Sequence, residues 1–165
     1  MVAWFRPRDQ LADRADALAE VLAGRLGASW DELVRATPTL GDADPARGLE
    51  ATTVAATLLS LFPLLQACQG DARRHRRLQT RALAGLEARY PKSALLIAEA
   101  ESGTIPPSGH ERTRTLNEVD ETTSLALAGW VVRRLRSKPT DRSWDEIRKV
   151  AELLRAVTAG CWKAG

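Results

Sequence analysis

The sequence predicts an all-α fold: a compact bundle of six or seven helices around one apolar central helix at about residues 45–68. Three observations predict it. Apolar residues recur at three- and four-residue steps in successive segments, which places them on one face of a helix. Capping residues open these segments and Gly or Pro closes them. No segment shows the two-residue alternation of a half-buried strand. At 165 residues the chain has the usual size of one hydrophobic core, so a single domain over 1–165 is expected.

From Asp9 to Leu26, the residues Leu11, Ala15, Leu18, Leu22 and Leu26 share a face, and Gly27 is expected to stop that helix. Ser29-Trp30-Asp31-Glu32 then reads as a capping box, with the Ser29 hydroxyl on the Glu32 amide and the Glu32 carboxylate on the Ser29 amide, opening a short helix to Ala36. Thr37-Pro38 ends it, and residues 39–44 read as a connector. Asp44-Pro45 is a good helix start, because Asp caps and Pro at the first position forgoes no ladder bond.

Residues 51–70 carry no charge. On length and on the arginines that follow, the segment resembles a membrane span, but Thr52, Thr53, Thr57, Ser60, Gln66 and Gln69 dilute it, and the reading adopted is a core helix surrounded by the others. Pro63 is expected to kink or divide it after Phe62. Asp71 caps the next helix, which runs to about Arg89 before Tyr90-Pro91 stops it, with Leu78, Ala82 and Leu86 on one face and arginines on the other. Residues 93–101 form a short apolar helix. Residues 102–114, with two Pro and two Gly, read as an exposed loop, the expected hinge or binding loop. Thr115 and Glu118 form a capping box for a helix through Leu127, Trp130, Val131 and Leu135. Residues 137–142 break the chain around Pro139, and Ser143-Trp144-Asp145-Glu146 opens a last helix reaching Gly160. The repeated SWDE is one capping solution used twice, since its flanks diverge and its spacing suits no solenoid.

The composition, 44% hydrophobic and 27% charged, excludes collagen-like, mucin-like and wholly disordered chains. Two cysteines make no disulfide scaffold, and the first residues contain no apolar run of signal-peptide length, so a cytoplasmic protein is expected. The net charge of +3 is uneven: residues 1–70 carry −3 and residues 71–165 carry +6. No phosphate-cradling glycine motif and no elbow serine occurs. His75 sits among four arginines, a field hostile to a cation, and His110 lies in the loop without a second ligand at helical spacing. Cys68 reads as a buried small hydrophobe and Cys161 as part of a frayed terminus.

Three functional readings remain. The first is a non-enzymatic interaction or adaptor subunit of a larger assembly, with Trp30 and Trp144 as interface anchors and a protein partner or a second copy as ligand. The second is a helical binder of nucleic-acid backbone, with Arg73, Arg74, Arg76, Arg77, Arg81, Arg133, Arg134 and Arg136 as phosphate contacts. The third is a carboxylate-metal hydrolase using Glu118 and Glu121 with Glu99 or Glu101. Acids at a helix N-terminus already offset its dipole, so no catalytic residue, metal or cofactor is expected, and no membrane partner.

Overall fold

The computed structural model describes residues 9–104, 116–136 and 143–163. In them the chain forms α1 (Gln10–Ala36), the single turn α2 (Pro38–Gly41), α3 (Pro45–Ala67), α4 (Ala72–Arg89), α5 (Ser93–Thr104), α6 (Leu116–Leu135) and α7 (Ser143–Thr158). The described residues contain no strand.

The bundle is built around α3. Eleven consecutive residues, Ala51 to Leu61, are buried all round the helix, and α3 touches each of the other six. Their hydroxyls are satisfied without leaving the helix: Thr52 Oγ1 donates to the Gly48 carbonyl, Thr57 Oγ1 to Thr53 and Ser60 Oγ to Ala56, each at 2.8 Å. By length and composition α3 is apolar enough to cross a membrane, and in this fold it is the core helix.

Helix α1 lies parallel to α4. Its contact face is built from small residues, Ala12, Ala15, Ala19 and Ala23, all buried. Facing them, α4 presents Ala82 and Gly85, and a Cβ on Gly85 would stand 2.9 Å from the Asp16 carbonyl oxygen. The two backbones approach too closely for a side chain at that point. Helix α7 runs antiparallel to α1, and each supplies a cation to the other's last carbonyls. Arg25 Nη1 donates to the Val157 carbonyl at 2.7 Å, and Lys149 Nζ donates to the Ala36 carbonyl at 3.0 Å.

Several local expectations are met. Asp44 and Asp71 cap α3 and α4 with their carboxylates, and Tyr90 closes α4. Others are corrected. Gly27 does not stop α1, and the Ser29 capping box lies inside a continuous helix. An exposed mid-helix glycine costs about 1 kcal/mol, whereas continuing the helix buries Trp30 and Leu33, each worth roughly 1.5–3 kcal/mol. The first part of the stretch 39–44, read as connector, belongs to α2 (Pro38–Gly41), which buries Leu40. Pro63 does not divide α3: it faces solvent, and Leu61 and Leu64 on either side are buried. Helix α5 extends past residue 101 to Thr104; the rest of the expected loop and the Thr115 cap lie outside the described residues, as does the break at 137–142. Glu146, expected to reach back in a capping box, bonds Arg136 at 2.6 Å with both side chains nearly buried (7% and 9% exposed). The C-terminal turn is not frayed, because Trp162 is buried and its Nε1 donates to the Ser60 carbonyl at 2.7 Å.

Trp30 is 9% exposed, and a Cβ on Gly48 would lie 2.4 Å from its Cη2. The indole occupies the space that a side chain at position 48 would need. Gly48→Ala is therefore expected to destabilise the fold by about 1–3 kcal/mol through overpacking. Urea unfolding should show the loss, and Trp30→Phe in the same chain should recover part of it; additive losses would show that the two residues do not compete for space.

Candidate functional site

The hairpin of α3 and α4 positions most of the candidate residues. Helix α3 ends in a tight turn: Gly70 N–H donates to the Leu65 carbonyl at 3.2 Å and Gln69 N–H to Gln66 at 2.9 Å. Gln69 (φ 54°) and Gly70 (φ 77°) both take left-handed backbone, the pattern that closes a helix and reverses its direction. His75 Nε2 then donates to the Leu61 carbonyl at 3.2 Å, which fixes α4 against α3 and gives this histidine a structural partner.

Of the eight arginines read as phosphate contacts, four are engaged inside the fold. Arg74 pairs with Asp9 at 3.0 Å. Arg81 pairs with Asp16 through two bonds, Nε to Oδ1 at 2.8 Å and Nη2 to Oδ2. Arg134 pairs with Glu99 at 2.5 Å and Arg136 with Glu146. A further pair, Arg89 with Glu20 at 2.6 Å, continues the series along α1 and α4. These pairs join neighbouring helices of the bundle.

Arg73, Arg76 and Arg77 remain. They are exposed, have no ion pair among the described residues, and together with Asp71 and Thr80 line one shallow open depression on the outer face of α4. Arg133 is also exposed and unpaired among the described residues, but it stands apart on α6.

The two tryptophans part company. Trp30 belongs to the core, so its expected place at an interface is overturned by burial. Trp144 is 55% exposed at the start of α7, with the Arg148 guanidinium 5.7 Å from its ring centre. Four exposed apolar residues were not singled out from sequence, Val21, Phe62 (47%), Leu65 (44%) and Leu95, and of these Phe62 and Leu65 lie one turn apart on the outer face of α3. The signal that marks this face is its neighbours Pro63, Gln66 and Gln69, residues that a fully buried helix would not place together.

The expected metal-site acids do not assemble among the described residues. Glu99 accepts from Arg134 and from Trp130 Nε1 at 3.3 Å, Glu121 is exposed, and the Glu118 side chain lies outside the description. No group of three His, Cys, Asp or Glu placed to hold a metal ion occurs among the described residues. Desolvation raises both thiols, Cys68 and Cys161, above the usual range and keeps them protonated.

The Arg81 hydrogen bond is the main cause that holds Asp16 below the usual carboxylate range. Desolvation pushes Asp9 the other way, but the Ala12 amide and Arg74 outweigh it and lower its pKa as well. No protein-family model, curated protein or solved structure matches this chain.

A carboxylate whose pKa is lower in the folded state stabilises the fold above its unfolded value, here near 3.8, and that contribution disappears as pH falls through the folded value. Arg81→Gln is therefore expected to lower Tm at pH 6 and to lower it less as pH drops below about 3.8. A Tm deficit unchanged from pH 6 to pH 2 would show that Asp16 and Arg81 do not act as an ion pair.

Proposed function

We propose that this chain is a non-catalytic helical interaction subunit that docks a protein partner through the shoulder formed by α3 and α4. One observation carries the reading. Helix α3 is buried on every side from Ala51 through Leu61 and then presents Phe62 and Leu65 to solvent one turn apart. Large apolar side chains exposed together on one face have the composition of a protein interface. Trp144 with Arg148 offers a second anchor of the same kind on α7.

The test uses Phe62→Glu with Leu65→Glu, both at exposed positions, with Leu95→Glu, another exposed apolar site, as control. The double variant should keep the helical circular dichroism of the parent and lose proteins that the parent and the control retain when used as bait in extracts of the native cell. Identical capture by all three chains would sink the reading.

A second reading, phosphate-backbone binding, is favoured by Arg73, Arg76 and Arg77 standing together on one face. With three contacts, log K should fall against log salt with a slope of about −2.7 for duplex, at roughly −0.9 per phosphate. Fluorescence anisotropy with a mixed-sequence duplex and single strand checks it: Arg76→Glu with Arg77→Glu should abolish low-salt binding. Absence of binding by the parent at low salt would dismiss it.

A further inference from the structure

We infer that the outer face of α4 holds a nucleic-acid duplex by the backbones of both its strands, where they face each other across a groove; the inference rests on the phosphate-backbone reading. The contacts are side chains and not the end of the helix, because Asp71 Oδ1 already accepts from the Arg73 and Arg74 amides at 3.0 and 3.1 Å. Relative to Arg73, Arg77 lies about 40° round α4 in one sense and Arg76 about 60° in the other. Thr80 and Ala84, both exposed, fall between them. His75, which bonds the Leu61 carbonyl, is about 160° from Arg73 and from Arg77, so the cluster is turned away from α3 and its apolar pair.

The depression is lined by Asp71, Arg73, Arg76, Arg77 and Thr80, every one charged or polar. A protein partner draws most of its affinity from apolar and aromatic anchors, and this lining gives it nothing apolar to pack against. A polyanion is held by charge alone. Three guanidiniums against one carboxylate leave the lining positive, near the helix end where the dipole already disfavours cations. The Thr80 hydroxyl donates to the Arg76 carbonyl at 2.9 Å, so the donors offered outward are the guanidiniums.

The arrangement suits two strands better than one. Helix α4 contains no Phe, Trp or Tyr, the stacking platforms on which single-strand binding relies. The three arginines also fan over an arc of about 100° and do not follow one line. Across a minor groove about 6 Å wide, a fan of that kind meets both backbones, with Arg76 on one strand and Arg73 and Arg77 on the other. Arg73 and Arg77 are about 6 Å apart along the axis, close to two phosphate steps of about 3.4 Å. Past Arg77 the same face is uncharged as far as Glu87, about 15 Å further on. A duplex strand winds away from a straight helix within that length, whereas a flexible single strand laid along α4 would run from the arginines onto the acid.

Fluorescence anisotropy tests this with the full chain, a labelled mixed-sequence DNA duplex and either of its strands alone, at several salt concentrations. The duplex should bind at least about fivefold tighter than the single strand, and Arg73→Gln, Arg76→Gln and Arg77→Gln should each bring the duplex salt slope nearer zero by about 0.9. Arg133→Gln, exposed on α6, should leave affinity and slope unchanged, and all four variants should keep the helical circular dichroism of the parent. A single strand bound as tightly as the duplex, or a slope that responds to Arg73 and Arg77 but not to Arg76, overturns the two-strand grip and leaves the phosphate-backbone reading standing. Displacement of the labelled duplex by tripolyphosphate as effectively as by unlabelled duplex, at equal phosphate concentration, overturns the inference in favour of a small phosphate. Equal displacement by polyglutamate, or no binding of either nucleic acid at low salt, overturns the inference and the phosphate-backbone reading together.

Discussion

The removal of α3 from water over three turns is the constraint on which the rest of the fold depends. A helix with Ala51 to Leu61 buried on all sides has no solvent face to present, so every other helix must lie against it. Leucines and valines alone would meet that demand, yet the stretch contains Thr52, Thr53, Thr57 and Ser60. Three of these return their protons to carbonyls one turn earlier, which removes most of the penalty of burying a hydroxyl. Thr53 Oγ1 is the exception, buried without a partner. Short side chains on α1, α3 and α4 let backbones come close, and Gly85 against the Asp16 carbonyl marks the limit of that approach.

The same constraint explains where the surface becomes apolar. The surrounding helices cover α3 through Leu61, and beyond it Leu64 stays buried while Phe62 and Leu65 emerge. Electrostatics divides α4 along its length in a comparable way. Its edge toward α1 carries Arg74, Arg81 and Arg89 against Asp9, Asp16 and Glu20, a series spaced so that both helices advance together and parallel. Each of these pairs is exposed and worth little by itself, but together they specify which helix lies there and in which direction. Arg73, Arg76 and Arg77, on the outer edge, make no ion pair among the described residues.

Much of the architecture was legible in the sequence because it depends on local pattern. The helical period, the capping aspartates at 44 and 71, the stop at Tyr90-Pro91 and the uncharged central helix all follow from residues within a few positions of one another. What misled depends on distance. Gly27 and the Ser29 box look like a break until Trp30 finds its slot over Gly48, eighteen residues away. The basic face of α4 looks uniform until Asp9 and Asp16, 65 residues earlier, take up Arg74 and Arg81. The candidate surface was half visible for the same reason: the arginines were evident as a class, but which of them stay unpaired is settled across the bundle. Phe62 and Leu65 were hidden inside a run whose composition gives every residue the same apparent environment.

The reciprocal capping of α1 and α7 has a consequence for the order in which the fold is completed. The Ala36 carbonyl receives its donor from Lys149, 113 positions further along, and the Val157 carbonyl receives one from Arg25, 132 positions earlier. During synthesis α1 and α4 can meet as soon as both have emerged, with their aspartate–arginine register already complete. The end of α1 stays bare until α7 is made, and such long-range closure is entropically the slowest contact to form. The two ends of α1 and α7 are thus completed by one another and by nothing nearer in the chain, so this contact is the last that the order of synthesis permits.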